Sequence, residues 1–450
     1  MVALQSRGGE TVTPAPSVSA ASPVAEETVT FSGRLTTRYE RPVQLQRRDG
    51  DRWVPVAEGT AAATGRFELR ARMTAGTSYF RVYAPATDRG SAQVTAGRAV
   101  KVRAGEATLR VVPAAVGQSK AGRVGLIPFE ASFAPARAGR PVLVQRRGKS
   151  GWQTVGGTTQ DARGRAVVLV RRSPGTSYRA VAPAYRGARA VSSPTVAQKA
   201  WKVAFSDDFD LGYLDPSKWA YRQLDVKPYG NRMCSQSRRE AVSVSEGQLH
   251  LRVLELPELP GATSKNCPEG FFANGHISTV NDGTDTSNTA IGGGFSTQYG
   301  ILSARLKFPT APGQHGSFWA QPLTGDGAEI DTAEYYGDGR RDGGLSHLVH
   351  WHTPSGELKS SGGVVDADRL LPRGEEWSSA MHVYSVEWSP TGYVFRVDGH
   401  ETYRTAKGRS TAPEYLILSL LTSDWELPRL KAPFGQMDVD WVRVWTPSSP

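Results

Sequence analysis

The chain has 450 residues, 22% of them charged, with 48 glycines, 11 tryptophans and two cysteines. That length suits two to four domains with at least one large core, and no run reaches the ~18 apolar residues of a membrane span. The formal charge of +11 hides a split, because residues 1–200 hold 31 Lys and Arg against 12 Asp and Glu, whereas residues 201–450 hold 23 against 31.

The first ten residues show no basic region followed by an apolar run, so a secretory signal is not visible there. Residues 1–27, rich in Pro, Ser, Ala and Thr, read as a flexible leader. An internal repeat follows. Arg41 to Arg48 reads R-P-V-Q-L-Q-R-R and Arg140 to Arg147 reads R-P-V-L-V-Q-R-R. Trp53 recurs as Trp152, and G-T-S-Y at Gly76 to Tyr79 recurs at Gly175 to Tyr178. Every offset is 99 residues, which predicts two copies in one register, 28–115 and 116–198. A period near 100 residues with short alternating strands suits tandem β-sandwiches rather than a solenoid. The two tryptophans are expected in the cores. Each copy resembles the immunoglobulin-like modules appended to secreted bacterial enzymes, and neither holds a catalytic constellation. Spacing, surface attachment and glycan binding stay open as roles. An excess of basic charge suits an acidic polysaccharide, an anionic cell surface or nucleic acid. The arginines are scattered along alternating strands, however, which reads as a solvated face, and nucleic acid is not expected.

Composition changes at Lys199 to Val203. From there the chain is a run of short strands between Gly-, Pro- and Asn-rich turns: Gln248–Leu254, Gly300–Phe308, His382–Trp388, Tyr393–Val397, Leu416–Leu421 and Asp438–Trp445. No helical period persists. About 250 residues of this kind, 201–448, predict an all-β, two-sheet jelly roll behind the two smaller sandwiches. Cys234 and Cys267 make one disulfide in an oxidising compartment or two separate buried thiols. Two cysteines cannot build a zinc site of paired cysteines.

Gly325 to Gly337 reads G-D-G-A-E-I-D-T-A-E-Y-Y-G. Strand side chains alternate faces, so Glu329 and Asp331 point the same way and Glu334 faces backwards. One extra residue at Thr332 or Ala333, a β-bulge, returns Glu334 to their side. Three acids on one face repel unless they share protons or meet a substrate. Glycoside hydrolysis uses such a set, one carboxylate attacking or stabilising the sugar cation and a protonated one serving the leaving oxygen. An acidic strand with its charges in water is the plainer alternative.

The hexad Glu329 to Glu334 resembles the bulged signature of glycoside hydrolase family 16, shared by laminarinases, agarases and carrageenases. Phe205 to Asp210 and Leu214 to Trp219 resemble that family's opening segments, and the likeness runs through 203–446 in segment order. It implies a retaining endo-acting hydrolase of a β-linked polysaccharide, β-1,3- or β-1,3/1,4-glucan first. Agarose, carrageenan, a galactan or another wall polymer stays open, as does a glycan-binding protein without turnover. By that resemblance Glu329 is the nucleophile, Glu334 the acid/base and Asp331 the group between them. Trp319 and Trp425 match cleft tryptophans, Asn231 matches an Asn that binds sugar hydroxyls, and His350 matches a His near the scissile bond. His315 replaces a second cleft Trp, Met233 an acidic residue and Ser419 an Asn. No cofactor is expected for catalysis. A structural Ca²⁺ is implied at Asp208, the backbone of Gly247 and Asp440. The whole implies an extracellular monomer acting on polysaccharide, with possible anionic-glycan attachment through the basic modules.

Overall fold

The computed structural model describes residues 11–116, 126–171, 177–197, 201–227, 230–290, 294–325, 327–337 and 344–447. Among these the chain is almost all strand, and its helical pieces are 3-10 turns of three or four residues. It falls into two compact units, one of 1–110 with 129–198 and one of 111–128 with 199–450.

The first unit holds both repeats. In the first copy Thr28–Arg34 pairs with Arg66–Arg72, and Arg41–Asp49 lies between Arg52–Ala61 and Gly76–Ala84. Strict alternation along Arg66–Arg72 turns Phe67, Leu69 and Ala71 inward. They meet Val29, Phe31, Val43, Leu45, Phe80 and Val82 in one core. The second copy repeats the layout, with Pro141–Gly148 between Gly151–Thr159 and Ser177–Ala182. In each copy a buried arginine ties down a loop: Arg41 donates to the carbonyls of Ala84, Pro85 and Ser91, and Arg140 to those of Ala182, Pro183 and Arg189.

Two expectations are corrected here. The copies do not keep one offset. Gln46 pairs with Arg81 and Gln145 with Arg179, so the central strands are 99 residues apart and their partners 98. The aromatic core pairs confirm it: Phe31 on Phe80 at 4.8 Å and Phe129 on Tyr178 at 4.7 Å. The G-T-S-Y match is thus one residue out of structural register, leaving Tyr79 exposed at 49% and Tyr178 fully buried. Nor do Trp53 and Trp152 enter the cores. Both are half-buried, stacked under arginines, Arg81 at 4.5 Å and Arg179 at 4.3 Å.

The second unit is a two-sheet β-sandwich. In one sheet the long strand Gln436–Pro447 pairs with Trp201–Asp207, Gln248–Leu256 and Gly300–Lys307, and the sheet continues through His382–Ser389, Gly392–Val397 and His400–Thr405. The other runs in the order Phe271–Ser278, Glu414–Leu421, His315–Pro322, Ala328–Tyr335, Ser346–His352, Leu358–Val364. Gln248–Leu256 belongs to both, its first half on Gln436–Pro447 and its second on Phe271–Ser278. Leu302, Leu306, Val386, Phe395 and Val442 from the first sheet and Phe318, Ile330, Ala333, Val349 and Leu418 from the second fill one core. Side chains alternate, so the second sheet's outer face carries what the core rejects: Asn274, His276, Ser419, Trp319, Gln321, Glu329 and His350.

Candidate active site

The strand Ala328–Tyr335 lies inside that second sheet, between His315–Pro322 and Ser346–His352. Its register slips on both sides at one point. Phe318 pairs with Ala333 but Trp319 with Asp331, so Thr332 is the extra residue. On the other side Asp331 faces Leu348 and Glu334 faces Ser346. Ile330 and Ala333 stay in the core, while Glu329, Asp331 and Glu334 share the open face. The expected bulge is present at Thr332. A partner strand pins it: His347 Nδ1–H donates to the Thr332 carbonyl at 2.7 Å, and its Nε2 meets Thr402 Oγ1 at 2.8 Å. Burial holds the His347 pKa down at about 4, so the imidazole is neutral.

The three acids differ in burial. Glu329 and Glu334 are half-buried, whereas Asp331 is only 5% exposed. Burial first, then the charges of Glu329 and Glu334, push the Asp331 pKa up to about 7, against the pull of His350. His350 pairs with Glu329 across the ladder and donates from Nε2 to Asp331 Oδ2 at 3.3 Å. Its Nδ1 meets Ser360 Oγ at 2.6 Å. The bond to Asp331 raises the His350 pKa. Gln321 Nε2 donates to Glu329 Oε2 at 3.0 Å. Ligand atoms of Glu329, Asp331 and His350 lie within 4.8 Å of one another. Such a set can hold a proton near neutral pH beside the half-exposed Glu329.

The other expected residues lie around this centre. Trp319, two strand positions from Gln321, donates from Nε1 to Ser419 Oγ at 3.1 Å. One side of its ring faces His276 at 6.4 Å and Arg222 lies 5.8 Å from its centroid. His315 is nearly buried, its Nδ1 bonded to Glu426 Oε2 at 2.7 Å; it shapes the wall more than it presents a donor. Tyr336 packs on His315 on one side and on Trp425 on the other, at 5.4 and 6.1 Å. Trp425 is 56% exposed. Asn231 is exposed too, and its carbonyl accepts the Asp424 N–H at 2.7 Å. The Asp424 carboxylate in return accepts from the backbone of Met233 and Cys234, at 2.9 and 3.1 Å. Cys234 is disulfide-bonded to Cys267. The Asn231 and Trp425 loops therefore form one clamped edge.

Residues 235–443 match the family model described as Glycosyl hydrolases family 16. The chain carries a family 16 glycoside hydrolase domain. Over 269 residues, 53% of this chain and 35% of the relative, it is 26% identical to glucan endo-1,3-beta-glucosidase A1 of Niallia circulans. Over 285 residues, 59% of this chain and 60% of the relative, it is 25% identical to keratan-sulfate endo-1,4-beta-galactosidase of Sphingobacterium multivorum. The chain thus spans between 35% and 60% of the length of these curated relatives. Among solved structures it resembles the laminarinase catalytic domain of Thermotoga maritima MSB8, with 19% identity and a TM-score of 0.43 over 56% of this chain and 100% of that one.

The hydrolase domain holds site residues that the sequence reading did not single out. Tyr336 follows Glu334 by two, so it shares its face, and the Glu334 carboxyl acts on its hydroxyl. Burial and that carboxyl raise the Tyr336 pKa, so the phenol keeps its proton. Glu414 lies beneath the start of the carboxylate strand, with no exposure. Its Oε1 accepts the Ala328 N–H at 3.4 Å and its Oε2 has no hydrogen-bond partner. Burial pushes its pKa up to about 8. Only the Tyr336 spacing was visible beforehand; Glu414 is 86 residues from Ala328. The expected calcium donors fit the ion poorly. Asp208 Oδ1 accepts from Arg443 Nη2 at 2.6 Å and Asp440 Oδ2 from Arg305 Nη1 at 2.8 Å, and a guanidinium that close repels a divalent cation. The Gly247 backbone adopts a positive φ of 71°.

Proposed function

We propose that the domain is a retaining endo-β-glycanase working by double displacement on a β-1,3- or β-1,3/1,4-glucan. One Oε of Glu329 attacks the anomeric carbon, the glycosidic C–O bond breaks, and Glu334 gives its proton to the leaving oxygen. Water then attacks the glycosyl ester while Glu334 takes back a proton, so Glu329 is released and the product keeps the β configuration. Asp331 is the group that holds or yields a proton between them near neutral pH. His350 orients Asp331, and Gln321 fixes the Glu329 oxygen that does not attack. The Thr332 bulge carries this reading, because without it Glu334 would point into the core.

The Niallia relative's name supports a β-1,3-glucan as substrate. The Sphingobacterium relative has the greater coverage of these two and makes endo-1,4-β-galactosidase action on a galactose-containing polymer the second reading. Trp319, opposite Asp331 on the neighbouring strand, and Trp425, against Tyr336, offer indole faces for sugar rings. The disulfide suits an oxidising, extracellular setting, and the acting form is taken to be a monomer. Wild type, Glu329→Ala and Glu334→Ala are to be run against a panel of β-glucans and galactans with reducing-end detection, and the first product's anomer read by NMR. The expected result is oligosaccharide release by the wild type only, with a β-anomer first. Equal release by Glu329→Ala, or an α-anomer first, rules out the mechanism.

A further inference from the structure

The second sandwich copy carries a basic face that the hydrolytic chemistry does not use. Across Pro141–Gly148, Gly151–Thr159 and Ser177–Ala182, Trp152 pairs with Arg147 and Gln145 with Arg179. Arg179 stacks on the Trp152 ring at 4.3 Å, and Arg147 at 5.5 Å. Arg179 Nε is spent on Gln145 Oε1 at 3.0 Å. The first copy builds the same stack, Arg81 on Trp53 with Arg81 Nε on Gln46 Oε1 at 2.9 Å. A stacked guanidinium with its Nε held has its plane fixed, and on Arg179 the two outer nitrogens are left to present a fork. That pair is the fork that grips a carboxylate or phosphate with two hydrogen bonds.

The copies differ in counter-charge. Asp49, Asp51 and Glu58 on the first copy's hairpin become Gly148, Ser150 and Gly157 on the second. In the first, Asp51 lies 3.4 Å from Arg48 and Glu58 takes a bond from Gln44. In the second, residues 140–159 and 177–192 hold seven Arg and Lys and no acid. Among the described residues neither Arg147 nor Arg179 has an acidic partner. The indole is already covered by guanidinium, so it is closed to a sugar ring or a nucleobase. What the face offers is a set of oriented cationic edges on a flat sheet.

We infer that this face binds an anionic polysaccharide, oxyanions spaced along a chain lying across Arg147 and Arg179. The full chain is tested by affinity electrophoresis in gels containing polygalacturonate, with dextran as the neutral control, at low and high salt. Retardation by polygalacturonate alone, weakened by salt, is expected. Arg147→Gln/Arg179→Gln should weaken it about fivefold for each arginine removed, with glucan hydrolysis and thermal unfolding unchanged. Lys407→Gln/Lys431→Gln, the same change of charge on the hydrolase domain, should leave it intact. Trp152→Ala keeps the charge but frees the forks, and should also lose retardation. Wild-type retardation in the double arginine variant overturns the site, as does equal loss in the lysine control. Retardation by duplex DNA as strong as that by polygalacturonate overturns the glycan assignment.

Discussion

Two sheet faces in this chain gather like charges, and they do so with opposite results. On the hydrolase domain three carboxyls occupy six positions of one strand, and the middle one is almost wholly buried. There burial first, and the neighbouring carboxylates after it, keep a proton on Asp331 up to about pH 7. On the second sandwich copy Arg147 and Arg179 flank a single indole, half-buried to exposed. Water and the aromatic ring absorb that repulsion. Burial, more than the number of charges, decides which face does proton chemistry and which is suited to electrostatic capture.

Removing the carboxyl proposed to attack breaks the first face outright. Glu329→Ala should cost at least about 10⁴-fold in kcat, measured by reducing-end release on a β-1,3-glucan, with the sandwich face still binding. Asp331→Asn separates chemistry from stability. It should lower kcat by about 10²- to 10³-fold. The unfolded chain releases this proton near its ordinary value of 3.8 and the fold holds it to about 7, so stability falls as pH rises through that window. The Asn variant, lacking this penalty, should be more stable than wild type above pH 7 by on the order of 4 kcal/mol, and no more stable below pH 4. Thermal melts across pH check it. Glu414→Gln tests the same rule one layer deeper. The fold keeps Glu414 protonated to about pH 8, against an ordinary 4.5, so the variant should match wild type in acid and melt higher above pH 8. Its neutral-pH kcat should stay within about threefold, as Gln can still accept the Ala328 N–H. The smallest effect belongs to the exposed face: Arg147→Gln should shift unfolding by less than about 0.5 kcal/mol. A larger shift would show that the stack serves the fold.

The carboxylate strand was legible because its acids alternate with Ile330 and Ala333, which only a core would take, and the hexad's length required one surplus residue. The two-sheet architecture followed from period-two runs such as Gly300–Lys307 and His382–Ser389. Single-residue changes between the sandwich copies escaped notice, since G-T-S-Y matches itself in sequence while Phe80 and Tyr178 match in space. The tryptophans were misread for a related reason. A half-buried strand does not declare which side its Trp faces, and the arginine that stacks on Trp53 is on another strand. Glu414 and the Asp424 clamp were out of reach, because each acts on backbone far away in sequence.

That clamp ties the enzyme's grip to its oxidation state. Asp424 fastens the Trp425 loop to the backbone beside Cys234, and the bridge to Cys267 keeps that backbone in place. Among the described residues the strand Ala328–Tyr335 makes no bond to either sulfur. A thiol reductant should therefore spare the turnover number and raise the polysaccharide concentration needed to reach it, as one end of the edge proposed to hold sugar comes loose.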